Sequence, residues 1–285
     1  MLRRQTTGSV VCASCGALVG VADDKCYSCG RSNPGLWGYA GAIRRLGSDL
    51  GFVQAVIIGS SVLYVLMLLM SKGQIGMSGL NFLAPSDRAM FQFGASGGVP
   101  VFLADRWWTV LSAGWLHGSL LHILFNMMWV RQLGPATAEV FGAGRMVIIY
   151  TLAGVAGFLL SSFAGYYIPG VPLLGGGAGM TLGASASVFG LLGALVAYGK
   201  LRGSSAETSQ ALGYAIALFV FGLVMSGVDN WAHLGGFAGG YLAARWLDPW
   251  KPERLDHLVG ALVCLAASAL AIVASLVHYA WKISF

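Results

Sequence analysis

Charged side chains are scarce in this chain of 285 residues. Lys, Arg, Asp and Glu make up 10% of the sequence, hydrophobic residues make up 56%, and the mean hydropathy is +0.72. A soluble domain of this length could not bury so much apolar surface. The composition therefore excludes an ordinary soluble protein and indicates an integral membrane protein.

Long stretches without charge are frequent for the same reason. A helix needs about 20 apolar residues to cross the roughly 30 Å of hydrocarbon in a bilayer. Seven predicted spans approach this length: 52–70, 113–133, 146–167, 182–200, 210–227, 230–247 and 258–280. No convincing small-residue cleavage site follows the first span, which argues against a secretory signal peptide.

The few cations are unevenly distributed. If the N-terminus is cytoplasmic, thirteen of the seventeen Lys and Arg residues fall on the inner side. The four on the outer side are Lys72, Arg88, Arg106 and Lys282. The positive-inside rule thus predicts a cytoplasmic N-terminus and an external C-terminus, with the bacterial inner membrane as the expected location. Anionic lipid accounts for the net charge of +6, so no nucleic-acid partner is expected.

Cysteine is rare, and four of the five cysteines precede the first span. The stretch CASCGALVGVADDKCYSCG holds two C-x-x-C-G knuckles separated by ten residues, with Cys12, Cys15, Cys26 and Cys29 as the ligands. Four thiolates at this spacing can close a tetrahedral zinc site, and a cytoplasmic location disfavours disulfides. We therefore predict a structural zinc ribbon at 1–35, open to an unidentified cytoplasmic partner.

Two connecting segments are rich in aromatic residues. Residues 36–51 are predicted to form an interfacial linker in which Trp37 and Tyr39 suit the headgroup region. The outer segment 71–112 has few charges and is expected to dip into the interface rather than form a disordered connection. Cys264, alone in the last span, is interpreted as a small apolar side chain.

Polar residues inside the spans are costly in lipid and are therefore functional candidates. His122 and Asn126 are four residues apart, so they share one helix face. In NWAHLGGFAGG, glycines follow His233 and allow close approach to the bare surface around Gly190 and Gly193. A histidine brought close to a serine there forms a nucleophile and base pair.

Three separated motifs occur in order on the second, fourth and sixth predicted spans. They are H-x-x-x-x-H-x-x-x-N in HGSLLHILFN, G-x-S-x-x-x-F-G in GASASVFG and A-H-x-x-G-x-x-x-G in AHLGGFAGG. Together they resemble the rhomboid family of intramembrane serine proteases over about residues 106–248. The resemblance implies an all-α membrane protein with a six-helix core at 52–250 and a seventh transmembrane helix at 251–285.

The resemblance also implies the roles of the site residues. Ser185 is the expected nucleophile and His233 its general base, without a carboxylate, while His122 and Asn126 are expected to stabilise the oxyanion. The supporting residues are Gly183, Phe189, Gly236 and Gly240. The expected substrates are transmembrane proteins cleaved near the outer face of the bilayer, and no cofactor is required for catalysis.

Other polar residues are given structural interpretations. Ser187 and Thr181 lack the flanking pattern of Ser185 and are rejected as nucleophiles. Asp229 is predicted to be a helix N-cap rather than a third catalytic residue. His117, expected near the outer mouth, is predicted to organise the loop through hydrogen bonds. The histidines expected at or near the ends of the last span are His257 and His278.

The sequence departs from the family pattern at a few positions. Ala186 replaces a glycine after the nucleophile, and Thr109 follows Trp108 where the family has Arg, with Arg106 out of register. The stretch QLGPATAEVFGAGR has one residue more than the family's L-G-x-x-x-E-x-x-x-G, which contains Glu139. A non-catalytic rhomboid-like protein that binds or escorts membrane clients is the alternative. A transporter is disfavoured because the spans offer few paired carboxylates.

Overall fold

A small two-stranded ribbon precedes the helices. The computed structural model describes residues 4–12, 15–41, 47–171, 174–225, 227–251 and 253–283. In these residues the only sheet is an antiparallel pair of β1 (Ser9–Val11) and β2 (Leu18–Gly20). Val10 pairs with Val19, and both are buried together with Cys12 and Cys26. The ribbon therefore has a small core of its own.

Helices form the rest of the fold. In the described residues they are α1 (Phe52–Met70), α2 (Asp87–Phe93), α3 (Thr109–Ser112), α4 (Leu120–Phe141), α5 (Ala143–Tyr167), α6 (Ser185–Arg202), α7 (Ser205–Val224), α8 (Asn230–Trp246) and α9 (Leu255–Ile283). By length and composition, α1, α5, α7 and the Leu255–His278 part of α9 could each cross a membrane. The other three predicted spans correspond to α4, α6 and α8, which are shorter or more polar. The expected all-α membrane fold is confirmed, while the number of seven spans stays a prediction.

The second predicted span, 113–133, is wrong at its start. Ser119 caps α4, because its Oγ accepts a hydrogen bond from the N–H of His122 at 3.2 Å. Residues Ala113–Trp115 form a separate 3-10 turn, and Leu116 after them is extended. The helix instead continues to Phe141. Hydropathy alone did not distinguish the residues before Ser119 from the helix that follows them.

The outer segment 71–112 consists of short helical pieces. Ser86 caps α2, and a five-residue π-helix, Val99–Leu103, precedes α3. Leu103 and Trp107 are exposed. This apolar surface suits the membrane interface, so insertion of the segment there stays a prediction.

Glycines bring α6 and α8 into close contact. A methyl group at Gly236 would overlap the carbonyl of Ala186, and one at Gly240 would overlap the backbone of Gly190. Gly193 lies against the carbonyl of Phe237 in the same way. The two helices therefore pack backbone to backbone, as in other small-residue helix interfaces in membranes. This packing brings the start of α6 next to the start of α8.

Candidate active site

Ser185 is the first residue of α6 and follows a turn that requires glycine. Gly183, two residues earlier, has φ +123°, a conformation that side-chain-bearing residues rarely adopt. A Cβ at Gly183 would also meet the imidazole of His122. Only glycine therefore fits where the chain enters α6. The first N–H groups of a helix lack partners within the helix, so those next to Ser185 can bind a negative charge.

His233 and Ser185 lie within hydrogen-bond distance. Nε2 of His233 is 3.0 Å from Oγ of Ser185. Phe189, one turn further along α6, stacks on the imidazole with ring centroids 4.1 Å apart and an angle of 15° between the rings. The imidazole is therefore held between an aromatic ring and the serine, and only 6% of His233 is exposed.

Asn230 completes this cluster, and the sequence interpretation missed it. Its Oδ1 lies 3.0 Å from Nδ1 of His233. The i, i+3 spacing of the two residues on one helix was the available signal, but the neighbouring Asp229 drew attention instead. Asp229 is the N-cap of α8, as predicted, because its Oδ1 accepts from the N–H of Ala232 at 3.0 Å. Its other oxygen accepts from the hydroxyl of Ser161.

The start of α4 supplies two polar side chains on the other side of Ser185. Nδ1 of His122 accepts from the N–H of Gly118 at 3.3 Å, so the neutral ring carries its hydrogen on Nε2. That nitrogen lies against Gly183, two residues before Ser185. Asn126 is buried, and one hydrogen of its Nδ2 binds the carbonyl of His122 at 2.9 Å. Its second amide hydrogen stays available to a ligand.

His117 contacts the backbone directly before Ser185. Its Nε2 accepts from the N–H of Ala184 at 3.5 Å, and its ring meets that of His122 edge to face at 5.2 Å. The side chain is fully buried rather than placed at an open mouth. The predicted role in loop hydrogen bonding is therefore confirmed, with an interior location.

Neither of the rival residues, Ser187 and Thr181, has a described hydrogen bond to His233. Oγ of Ser187 lies against Gly154 of α5, on another face of α6. The backbone of Thr181 pairs with that of Ser96 in an isolated bridge. Among the described hydrogen bonds, His233 contacts only one hydroxyl, that of Ser185.

A cavity of about 970 Å³ opens onto these groups. Ser185, His233, His122 and Asn126 all line it. Its walls are otherwise mostly apolar and include residues of α4 and α7. The charged side chains among its described lining residues are both acidic, Asp87 and Asp229. The cavity can therefore hold water and a largely apolar segment of chain beside the serine.

Comparison with known proteins places this chain in a family. Residues 104–250, about half of the chain, match the Rhomboid domain. The chain belongs to the rhomboid family. Among its rhomboid relatives, RHOMBOID-like protein 4 of Arabidopsis thaliana is 32% identical over 164 residues, which cover 56% of this chain and 39% of the relative. The Rhomboid protease GluP of Bacillus subtilis (strain 168) is 31% identical over 170 residues, which cover 58% and 31%.

The names of the rhomboid relatives indicate that not all of them are active. Inactive RHOMBOID-like protein 8 of Arabidopsis thaliana is 30% identical over 134 residues, covering 46% of this chain and 35% of the relative. Aligned regions thus span less than two fifths of each of these three relatives. The family therefore includes both proteases and inactive members.

The departures from the rhomboid pattern are accommodated in different ways. Ala186 is fully buried at the contact with Gly236. Arg106, out of register in the sequence, is also fully buried and donates to the carbonyls of Phe91 at 2.6 Å and Ser275 at 3.3 Å. Burial lowers the pKa of Arg106 to about 10. Glu139 is exposed.

Trp108 strengthens the same anchor. Its indole N–H donates to Oγ of Ser275 at 3.1 Å. Arg106 and Trp108 therefore fasten the outer segment to α9. The missing Arg at position 109 does not leave the segment unanchored, because Arg106 binds Ser275 from another position in the chain.

The four N-terminal cysteines form a separate candidate metal centre. Their sulfurs all lie within 4.8 Å of one another, with Cys12 3.8 Å from Cys29 and Cys15 3.6 Å from Cys26. None of these four cysteines forms a disulfide. Backbone N–H groups, that of Cys29 above all, lower the pKa of Cys26 to about 7, whereas burial and the neighbouring sulfurs raise the pKa of Cys15. The cluster can therefore hold a metal ion.

Proposed function

We propose that this rhomboid is an intramembrane serine endopeptidase that cleaves transmembrane segments near the outer face of the bilayer. The observation that carries the proposal is the 3.0 Å approach of Ser185 Oγ to His233 Nε2 in a cavity that also receives His122 and Asn126. A nucleophile, a base and donors for an oxyanion are the groups that acyl transfer requires.

The proposed reaction begins when Ser185 attacks the carbonyl carbon of the scissile peptide. Nε2 of His233 takes the hydroxyl proton as the carbon–oxygen bond forms. Nε2–H of His122 and the second amide hydrogen of Asn126 stabilise the negative charge on the former carbonyl oxygen. His233 then gives its proton to the leaving amine, which yields an acyl ester on Ser185. Water, activated by the same imidazole, hydrolyses the ester.

The cavity supports this chemistry within a membrane protein. Polar groups at membrane depth are tolerated where they line a water-filled space bounded by protein. A helix of the substrate must partly unwind for its peptide bond to reach Ser185, because helical hydrogen bonds shield the carbonyl. Segments with Gly, Ala, Ser or Pro near the cleavage point are therefore the proposed substrates.

The proposed topology follows from the cations. A cytoplasmic N-terminus places thirteen of seventeen Lys and Arg residues inside, in a bacterial inner membrane. The cavity then faces the external side, and the ribbon faces the cytoplasm.

The proposed metal of the ribbon is a structural zinc ion. A tetrahedral zinc with Zn–S bonds of about 2.3 Å requires sulfurs about 3.8 Å apart. The distances of 3.8 Å between Cys12 and Cys29 and 3.6 Å between Cys15 and Cys26 fit that requirement. Gly16 and Gly30, with φ of +78° and +72°, allow the tight turns after each knuckle.

A fluorophosphonate probe tests the proposed activity in detergent. The unmodified protein should become covalently labelled at Ser185 and should cleave a test transmembrane substrate. Ser185→Ala and His233→Ala should each abolish cleavage, and their combination should cost no more than either alone, since the pair acts as a unit. Ser187→Ala is the matched control and should retain most of the activity.

The alternative is that this chain is a non-catalytic rhomboid that binds or escorts membrane proteins. The relative named inactive supports this alternative. A folded protein that neither labels at Ser185 nor cleaves would favour the alternative. Loss of activity in Ser187→Ala, with Ser185→Ala still active, would instead show that the nucleophile is misassigned.

A further inference from the structure

Asn230 occupies a position next to His233 that none of the rhomboid motifs contains. It is the first residue of α8, and 5% of it is exposed. Its Nδ2 lies 3.4 Å from the carbonyl oxygen of Phe219 on α7, and its Oδ1 lies 3.0 Å from Nδ1 of His233. The amide thus bridges a neighbouring helix and the imidazole.

These two contacts determine which ring nitrogen of His233 carries the hydrogen. A carbonyl oxygen only accepts, so the amide nitrogen of Asn230 must face Phe219, and the amide oxygen then faces His233. Because that oxygen also only accepts, Nδ1 of His233 must carry the hydrogen. In a neutral imidazole the other nitrogen is then the acceptor. Nε2 therefore presents its lone pair to the hydroxyl of Ser185.

We propose that Asn230 is a positioning residue that holds His233 in the tautomer and ring orientation needed to accept the proton of Ser185. The inference rests on the proposed protease function. Stacking on Phe189 fixes the plane of the ring but leaves its rotation within that plane open. The hydrogen bond from Nδ1–H to Asn230 fixes that rotation and the tautomer together.

The amide does without charge what a carboxylate does in a Ser-His-Asp triad. An amide free to turn over would offer N–H to Nδ1 and stabilise the wrong tautomer. The carbonyl of Phe219 prevents this inversion. Gly222 leaves room for the amide, because a Cβ at that position would overlap Oδ1 of Asn230. Asp229 does not serve instead, since its oxygens bind Ala232 and Ser161.

Two substitutions separate positioning from a merely structural role. Asn230→Leu has similar size and removes the acceptor, whereas Asn230→Asp keeps Oδ1 and removes the N–H that binds Phe219. Positioning predicts that Asn230→Leu lowers the rate of Ser185 labelling and kcat/KM by about 10- to 100-fold, part of the usual contribution of a general base. Asn230→Asp should stay within about 5-fold of the unmodified protein. A structural role through Phe219 would instead impair both variants alike.

The tautomer can be measured directly by NMR of the unmodified protein with ¹⁵N-labelled histidine. The signals of His233 are assigned as those that disappear in His233→Ala. They should show that Nδ1 is protonated and Nε2 is not. Protonation at Nε2 alone, or labelling of folded Asn230→Leu at the unmodified rate, would overturn the inference. The tautomer measurement remains decisive even if Asn230→Leu does not fold. Absence of Ser185 labelling in the unmodified protein would instead defeat the protease proposal.

Discussion

Replacing Asn126 with alanine tests how the proposed oxyanion is stabilised. The side chain is buried, and one of its two amide hydrogens binds the carbonyl of His122 at 2.9 Å. The other hydrogen is the one that a tetrahedral intermediate on Ser185 would use. Asn126→Ala therefore removes one donor and leaves Ser185 and His233 in place.

The expected size of the effect follows from what remains. Loss of one oxyanion donor in a closed site costs about 2.7 to 4 kcal/mol, or 100- to 1000-fold in rate. Here Nε2–H of His122 remains as a second donor, and the cavity of about 970 Å³ admits water that can replace the amide. These two features lower the minimum loss to about 10-fold, so the predicted reduction lies between about 10- and 1000-fold.

The assay combines cleavage of a transmembrane test substrate with the rate of Ser185 labelling. Asn126→Ala should reduce kcat/KM within the predicted range and still allow slow labelling, because the nucleophile and base are intact. Asn126→Asp, of equal size but without a donor, should be at least as impaired, since its charge opposes the oxyanion. Thermal unfolding shows whether each variant is folded. Unchanged cleavage by folded Asn126→Ala, or complete loss of its labelling, would refute the oxyanion assignment.

Two further predictions concern regions outside the cavity. Arg106→Met should lower the free energy of unfolding by about 2 to 4 kcal/mol, because it removes charge-assisted hydrogen bonds to Phe91 and Ser275. The control Arg202→Met, at an exposed ion pair, should change the free energy of unfolding by less than about 1 kcal/mol. If denaturation showed that both variants lose the same free energy of unfolding, Arg106 would not be an anchor. Cys26→Ser should remove about one zinc per chain by elemental analysis and leave Ser185 labelling intact. Loss of labelling in folded Cys26→Ser would make the metal part of the mechanism.

Much of the fold was predictable because its signals are local. The first span, 52–70, coincides with α1, since the apolar stretch begins directly after Gly51. The glycines after His233 predicted close packing on α6, and the structure has that packing. The start of α4 was mispredicted because the preceding residues 113–116 are as apolar as the helix itself. The extended Leu116 and the capping hydrogen bond of Ser119 mark the boundary.

The site was less predictable where it depends on contacts distant in sequence. Arg106 binds Ser275, which lies 169 residues away in the sequence. The position of Arg106 relative to Trp108 in the sequence therefore could not predict this contact. The geometry of Asn230 depends on a backbone carbonyl of α7, which no motif encodes. The residues that motifs did identify, Ser185 and His233, lie near helix starts, where spacing along the chain already limits their positions.

Three helix N-termini converge on the cavity. His122 lies in the first turn of α4, Ser185 begins α6, and His233 lies in the first turn of α8. The positive ends of three helix dipoles therefore face the place where negative charge would develop on a substrate oxygen. Each dipole contributes about 0.3 to 1 kcal/mol, and up to about 2 kcal/mol in a partly buried geometry. Three dipoles together contribute about 1 to 3 kcal/mol at the ordinary value, close to the about 2.7 to 4 kcal/mol of one oxyanion donor, so their effect adds to that of the side-chain donors. Deleting a single donor at Asn126 should therefore be measurable even though the three helix starts remain.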